Sequence, residues 1–191
     1  MGAAQIKGST LKLRTQFVRE RWGEAALEKV LATLSPQDAD SVMKSLPVLW
    51  YPLSLNAHLD QTICHVLGNG NERIYEEMGA YSADAFARQI YSTYFEETKP
   101  QQFLDLTVEL YKNYYKNAGQ RRNVVSAPGR CDMYIEGCRE AYRPNCASNV
   151  GFIRRSLVLL GARGVRCDEV SCALADRERK GVCIARATWL P

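Results

Sequence analysis

The hydrophobic period changes once along this chain, near residue 120, and that change limits the folds open to it. Before it, apolar residues recur at helical spacing. Leu27, Val30, Leu31 and Leu34 form one stripe, and Leu55, Leu59, Thr62, Ile63 and Val66 form another. Ser35-Pro36-Gln37-Asp38 offers an N-cap, a proline at the first helical position and an acid at the third. Ser54 is the expected cap of the helix that follows the Pro47 to Pro52 break, and Gly79 and Pro100 punctuate helices over 72–79, 82–96 and 100–117. After the change, 123–126 and 131–136 read as strands around Pro128-Gly129. Cys146, Val150, Ile153, Leu157 and Leu160 step by helical intervals, and 165–174 and 182–189 read as a closing hairpin with a charged turn over 176–181. No Gly-, Ser- or Pro-rich linker divides the halves. The expected architecture is α+β, one domain over 1–191. Helices over 1–119 pack on a small four-stranded antiparallel sheet, and 120–191 runs strand-strand-helix-strand-strand with one helix between the two strand pairs.

Composition excludes several classes. With 46% hydrophobic and 24% charged residues among 191, the chain is an ordinary globular one. A net charge of +4 makes no case for nucleic acid. No run approaches the roughly 18 apolar residues of a membrane span, and the opening MGAAQIKGSTLKLRTQF has no signal-peptide core. The expected setting is cytoplasmic, where thiols stay reduced. That matters because there are seven cysteines, and six of them follow residue 130.

Those cysteines carry the strongest chemical signal. Cys172 and Cys183 flank the hairpin turn, Glu169 precedes Cys172 by three, and Cys146 opens the preceding helix. Thiolates at about 2.3 Å and a carboxylate oxygen at about 2.1 Å can complete a tetrahedral zinc shell. The alternative is buried, inert thiols. The two histidines, His58 and His65, lie seven apart on one helix, about 10 Å along its axis, too far to share an ion. No phosphate-binding glycine loop, dinucleotide fingerprint or serine-nucleophile motif occurs, so no enzyme is expected. Arg121-Arg122 and the run from Arg177 to Lys180 read as solvated turns. Aromatic residues crowd 75–115, and Phe86, Tyr91, Tyr111 and Tyr115 are the candidate walls of a pocket for an apolar or aromatic ligand. The alternative is a helical core whose tyrosines reach the surface.

The segment Cys146-Ala-Ser-Asn-Val-Gly151-Phe152, the run Glu169-Val-Ser-Cys172 and the ending Gly181-Val-Cys183 to Trp189 together resemble the 4-vinyl reductase type of small-molecule-binding domain. Its pattern is a cysteine before a Gly-aromatic helix, then E-x-x-C, a turn, and a last strand with G-x-C. Trp50-Tyr51-Pro52 and Tyr114-Tyr115 are also similar to an uncharacterised myxobacterial-type paralogous family. The resemblance implies the fold shared by TRAPP tethering subunits and haem-nitric-oxide sensors. It further implies a structural zinc on Cys146, Glu169, Cys172 and Cys183. The turn between the last two cysteines is longer than that pattern expects, and Cys138 and Cys167 are spare thiols that could substitute. The haem branch calls for a proximal histidine in the helical half and a Y-x-S-x-R run. Tyr134-Ile135-Glu136-Gly137-Cys138-Arg139 lacks the serine and shifts the arginine, and no histidine follows His65, so no haem is expected. The implied function is a non-enzymatic sensory or binding module for a small hydrophobic ligand, homodimeric, passing its signal to a partner protein. A ligand-free interaction module of TRAPP-like fold is the alternative, and a reductase-type enzyme is the remaining one.

Overall fold

Residues 2–89, 99–138, 140–174 and 181–190 are described by the computed structural model, and their order follows the period change. The chain opens with β1 (Gln5–Lys7), α1 (Gly8–Trp22), α2 (Glu24–Thr33), α3 (Pro36–Met43), β2 (Trp50–Pro52), α4 (Leu53–Leu67) and α5 (Arg73–Gln89). Then come α6 (Pro100–Tyr114), β3 (Tyr115–Lys116), β4 (Gln120–Ala127), β5 (Arg130–Glu136), α7 (Arg143–Leu159), β6 (Arg163–Ser171) and β7 (Cys183–Leu190).

The α+β architecture is the one expected. An antiparallel sheet runs in the order β4-β5-β7-β6, with α7 connecting its two strand pairs. On one face, Cys131, Met133, Cys167 and Ala187 meet Val150, Ile153 and Leu157 of α7 and Phe103 and Leu104 of α6, and all are buried. The stepping of Val150, Ile153 and Leu157 along α7 makes that contact possible, because residues three and four apart share one face. A second core lies within the helices, built from Leu11 and Val18 of α1, Leu27 and Val30 of α2, Leu59 and Ile63 of α4 and Met78 of α5.

Local expectations met mixed outcomes. The Ser35 hydroxyl does accept from the Asp38 amide at 3.1 Å. Ser54 caps nothing, since α4 starts one residue earlier at Leu53, with Pro52 in the cap position and no side-chain cap bond. Gly79 does not end a helix. α5 runs through it because α7 crosses there with backbone against backbone. A Cβ on Gly79 would lie 1.9 Å from the Ser148 carbonyl oxygen, and one on Gly151 would lie 2.0 Å from that of Glu76. A second sheet, β2-β1-β3, was not expected. Its strands are two or three residues long, pairing Ile6 with Tyr51 on one side and Tyr115 on the other, too short to show a period. The charged turn over 176–181 falls almost wholly outside the described residues.

Candidate functional site

α1, α5, α6, α7 and β4 enclose a cavity of about 330 Å³. Phe86 and Ala85 of α5, Leu110 and Tyr111 of α6, Tyr115 of β3 and Phe152 of α7 give it an apolar, aromatic wall. The Tyr111 and Tyr115 rings stack with centroids 4.5 Å apart and planes 16° apart. Phe86 meets Phe152 edge to face at 5.9 Å. Three of the four pocket residues named from the sequence thus line one cavity; Tyr91 lies outside the described residues.

Polar groups enter the wall at two places. In the helical layer, Arg14 Nε donates to Asp60 Oδ1 at 2.8 Å, while its other nitrogens reach Ser148 Oγ at 2.7 Å and Ser82 Oγ at 3.0 Å. Asn56 Nδ2 donates to the second Asp60 oxygen at 3.2 Å. Arg14 and Asp60 are almost wholly buried. Burial pushes the Asp60 carboxyl up from its usual range, and the Arg14 charge pulls it back. Across the cavity, Arg121 stands on β4. It donates to Asn123 Oδ1 at 3.3 Å, to Asn149 Oδ1 at 3.5 Å and to Met133 Sδ at 3.1 Å, all neutral acceptors. Reading Arg121-Arg122 as a turn is corrected here. Strand neighbours face opposite ways, so Arg122 points to solvent, pairs with Glu136 at 2.7 Å and covers the Tyr134 ring, while Arg121 points inward.

Beyond Tyr111, Tyr115, Arg121 and Asn149, a recess of about 60 Å³ leads to the cysteines. The end of β6, the start of β7 and the first turn of α7 bring Cys146, Cys172 and Cys183 together, with sulfurs all within 4.8 Å of one another. Cys146 Sγ lies 3.8 Å from both Cys172 Sγ and Cys183 Sγ. The edge of a tetrahedron with about 2.3 Å zinc–sulfur bonds is about 3.8 Å, so this spacing fits the donor set of a zinc site. The Cys183 thiol is pulled down to about 2 by hydrogen bonds from the Cys138 and Cys146 thiols, and Cys172 is lowered by its bond to Cys146. Glu169 stands apart from this group. Its carboxylate is held by Arg143 at 2.7 Å. Cys131 and Cys167 pack in the core, where burial pushes them up to about 11 and about 12. His58 and His65 are exposed on α4 and reach neither the cavity nor the thiols.

A helical layer closing an aromatic cavity against a four-stranded antiparallel sheet defines a ligand-binding fold. The haem-NO-binding family matches residues 7–121, more than half of the chain, and the chain belongs to that family. Solved structures agree on the fold. An Fe(II) NO-ligated H-NOX protein from S. oneidensis, 11% identical, superposes with a TM-score of 0.73 over 97% of this chain and 100% of its own. An unliganded Fe(II) H-NOX protein from K. algicida, also 11% identical, gives 0.70 over 97% of each chain. No protein with a curated description matches in sequence. The family match covers the helical layer and stops at the first strand of the large sheet, so the cysteine-bearing segment 146–189 lies outside it.

The expectation that haem has no place here is corrected by that membership, since haem is the group the family is described as binding. Haem iron is held in proteins by histidine, cysteine, methionine or tyrosine. Neither histidine of this chain lines the cavity. Of its tyrosines, Tyr111 already donates to the Ala118 carbonyl at 2.9 Å, and burial pushes both Tyr111 and Tyr115 upward, away from the phenolate form. The described residues therefore do not fit a histidine-ligated haem, and at this point the chain departs from that mode of binding.

Proposed function

We propose that this protein is a non-enzymatic ligand-sensing module, taking a small, largely apolar ligand in the cavity between its helices and its sheet. The observation that carries the reading is the cavity itself: about 330 Å³ of mainly aromatic wall, within the range of small-molecule sites, in a chain of the haem-NO-binding family. A filled interaction module of the same fold would have spent this volume on core side chains. Zinc belongs to the proposal as a structural ion on Cys146, Cys172 and Cys183. Cys138, hydrogen-bonded to Cys183, replaces Glu169 as the candidate fourth ligand. Such an ion would tie the ends of β6 and β7 to the start of α7, one recess away from the ligand.

Native mass spectrometry of protein purified without chelator tests both parts. The expected spectrum shows one zinc per chain and, with N-phenylnaphthylamine added, a one-to-one complex. Zinc is expected to be lost in Cys172→Ala and weakened in Cys138→Ala, and kept in Glu169→Gln. Folded, zinc-free protein that takes no apolar probe and no haemin, the latter read from its visible absorption, would sink the reading.

A further inference from the structure

We propose that the cavity selects ligands bearing an anionic group on an apolar body, a carboxylate above all, and that Arg121 is the anchor for the anion. The inference rests on the cavity being a ligand site, and it adds the chemical class. Arg14 and Arg121 line the same cavity but differ in one respect. Arg14 has a carboxylate at 2.8 Å, whereas among the described residues Arg121 has none, only two amide oxygens at 3.3 and 3.5 Å and a thioether sulfur. Other arginines of α7 and the sheet are compensated: Arg154 by Glu76, Arg155 by Asp84 and Arg186 by Asp132.

A guanidinium cannot shed its proton to escape burial. Held among Tyr111, Tyr115 and Phe152, it stays poorly compensated until an acceptor arrives. Burial lowers its affinity for the proton, which is the electrostatic trace of that missing acceptor. The fork of donors borders both the cavity and the recess, so a carboxylate seated there can accept two parallel bonds. The rest of the ligand then lies along Leu110, Phe86 and Phe152.

Two dyes with one aromatic body decide the matter: anilinonaphthalene sulfonate, an anion, and N-phenylnaphthylamine, which is neutral. The intact chain is expected to bind the anion roughly tenfold or more tightly than the neutral dye, the range of a charge-assisted bond. Arg121→Met should remove that preference while leaving neutral-dye binding in place, and Arg121→Lys should keep part of it. If Arg121→Met does not fold, Asn149→Asp carries the test by supplying an internal carboxylate beside the guanidinium, and it should abolish the preference in the same way. Equal affinities in the intact chain, or a preference unchanged in the variants, would overturn the anchor while leaving the ligand site standing. Failure of both dyes to bind would overturn the site as well. Dodecanoate and haemin, a flat apolar body that also bears carboxylates, are then run as competitors. Displacement by either supports the anchor and tells which shape the cavity accepts, whereas displacement by neither overturns it.

Discussion

The helical layer and the sheet treat the arginines that line the cavity in opposite ways. In the helical layer, Arg14 finds Asp60, Ser82 and Ser148, and Asp60 finds Asn56, so four helices meet at one compensated charge pair. On the sheet side, Arg121 meets only neutral acceptors, and three thiols sit at metal-binding distance from one another. The difference separates what the chain completes from its own residues and what it leaves to be completed from outside. On the proposed function, stability is concentrated on the first side and recognition on the second.

The largest expected effect breaks the compensated side. Arg14→Met leaves Asp60 buried without its cation, and removing one partner of a buried pair costs about 3–5 kcal/mol. Denaturant unfolding should show it as a lower midpoint. The matching change on the other side, Arg121→Met, should cost at most about 1.5 kcal/mol, because it loses weak hydrogen bonds to neutral acceptors and no internal charge partner. Comparable losses at the two positions would erase the contrast. Next comes metal. With free zinc about a thousandfold above its dissociation constant, binding adds roughly 4 kcal/mol, and that gain should vanish on chelation and be absent in Cys172→Ala. Thermal melts with and without chelator measure it.

A smaller effect is expected where the two regions touch. Alanine is about 1 kcal/mol better than glycine inside a helix. Yet the Cβ of Gly79→Ala would stand 1.9 Å from a backbone oxygen of α7, and backbone cannot swing aside as a side chain does. The clash should win, with a net loss of about 2–3 kcal/mol in equilibrium unfolding. The smallest expected effect lies on the face of the sheet turned away from α7. Arg186 holds Asp132 through two bonds, at 2.6 and 3.2 Å, and this lowers the Asp132 carboxyl below its usual range. A depressed folded pKa contributes stability above the unfolded value, about 3.9, and loses it as pH falls through the folded one. Asp132→Asn should therefore cost about 1 kcal/mol at neutral pH, with the gap to the parent closing below about pH 4. A gap constant with pH would show that the pair contributes through shape alone.

Much of the architecture was legible because it repeats at short range. The steps from Cys146 to Leu160 gave a helix that is observed over Arg143–Leu159, and the alternating runs gave four strands within a few residues of their bounds. The convergence of Cys146, Cys172 and Cys183 was also readable, because a hairpin and the helix before it place those positions at one end of the sheet. What escaped depends on distant partners. Arg14 meets residues 46 and 134 positions away, and nothing near it in sequence marks it as an inward charge. Arg121 reads as half of a basic pair because it lies two residues before the expected start of the strand at 123, whereas the observed strand begins at Gln120 and its alternation turns Arg121 inward. Glu169 has the right spacing for a metal ligand, but its ion pair with Arg143, 26 positions away, leaves no trace in that spacing. Glycine at 79 reads as a terminator when only local propensity is considered, and its actual role is tertiary.

That crossing has a consequence for the cavity's size. α5 contributes Ser82, Ala85 and Phe86 to the wall, and α7 contributes Ser148, Asn149 and Phe152. With backbone seated on backbone at Gly79 and Gly151, the two helices have no compressible layer between them. They form the fixed jaw of a vice, and any widening for a larger ligand must come from the other jaw: α1, α6 and the first strand of the sheet.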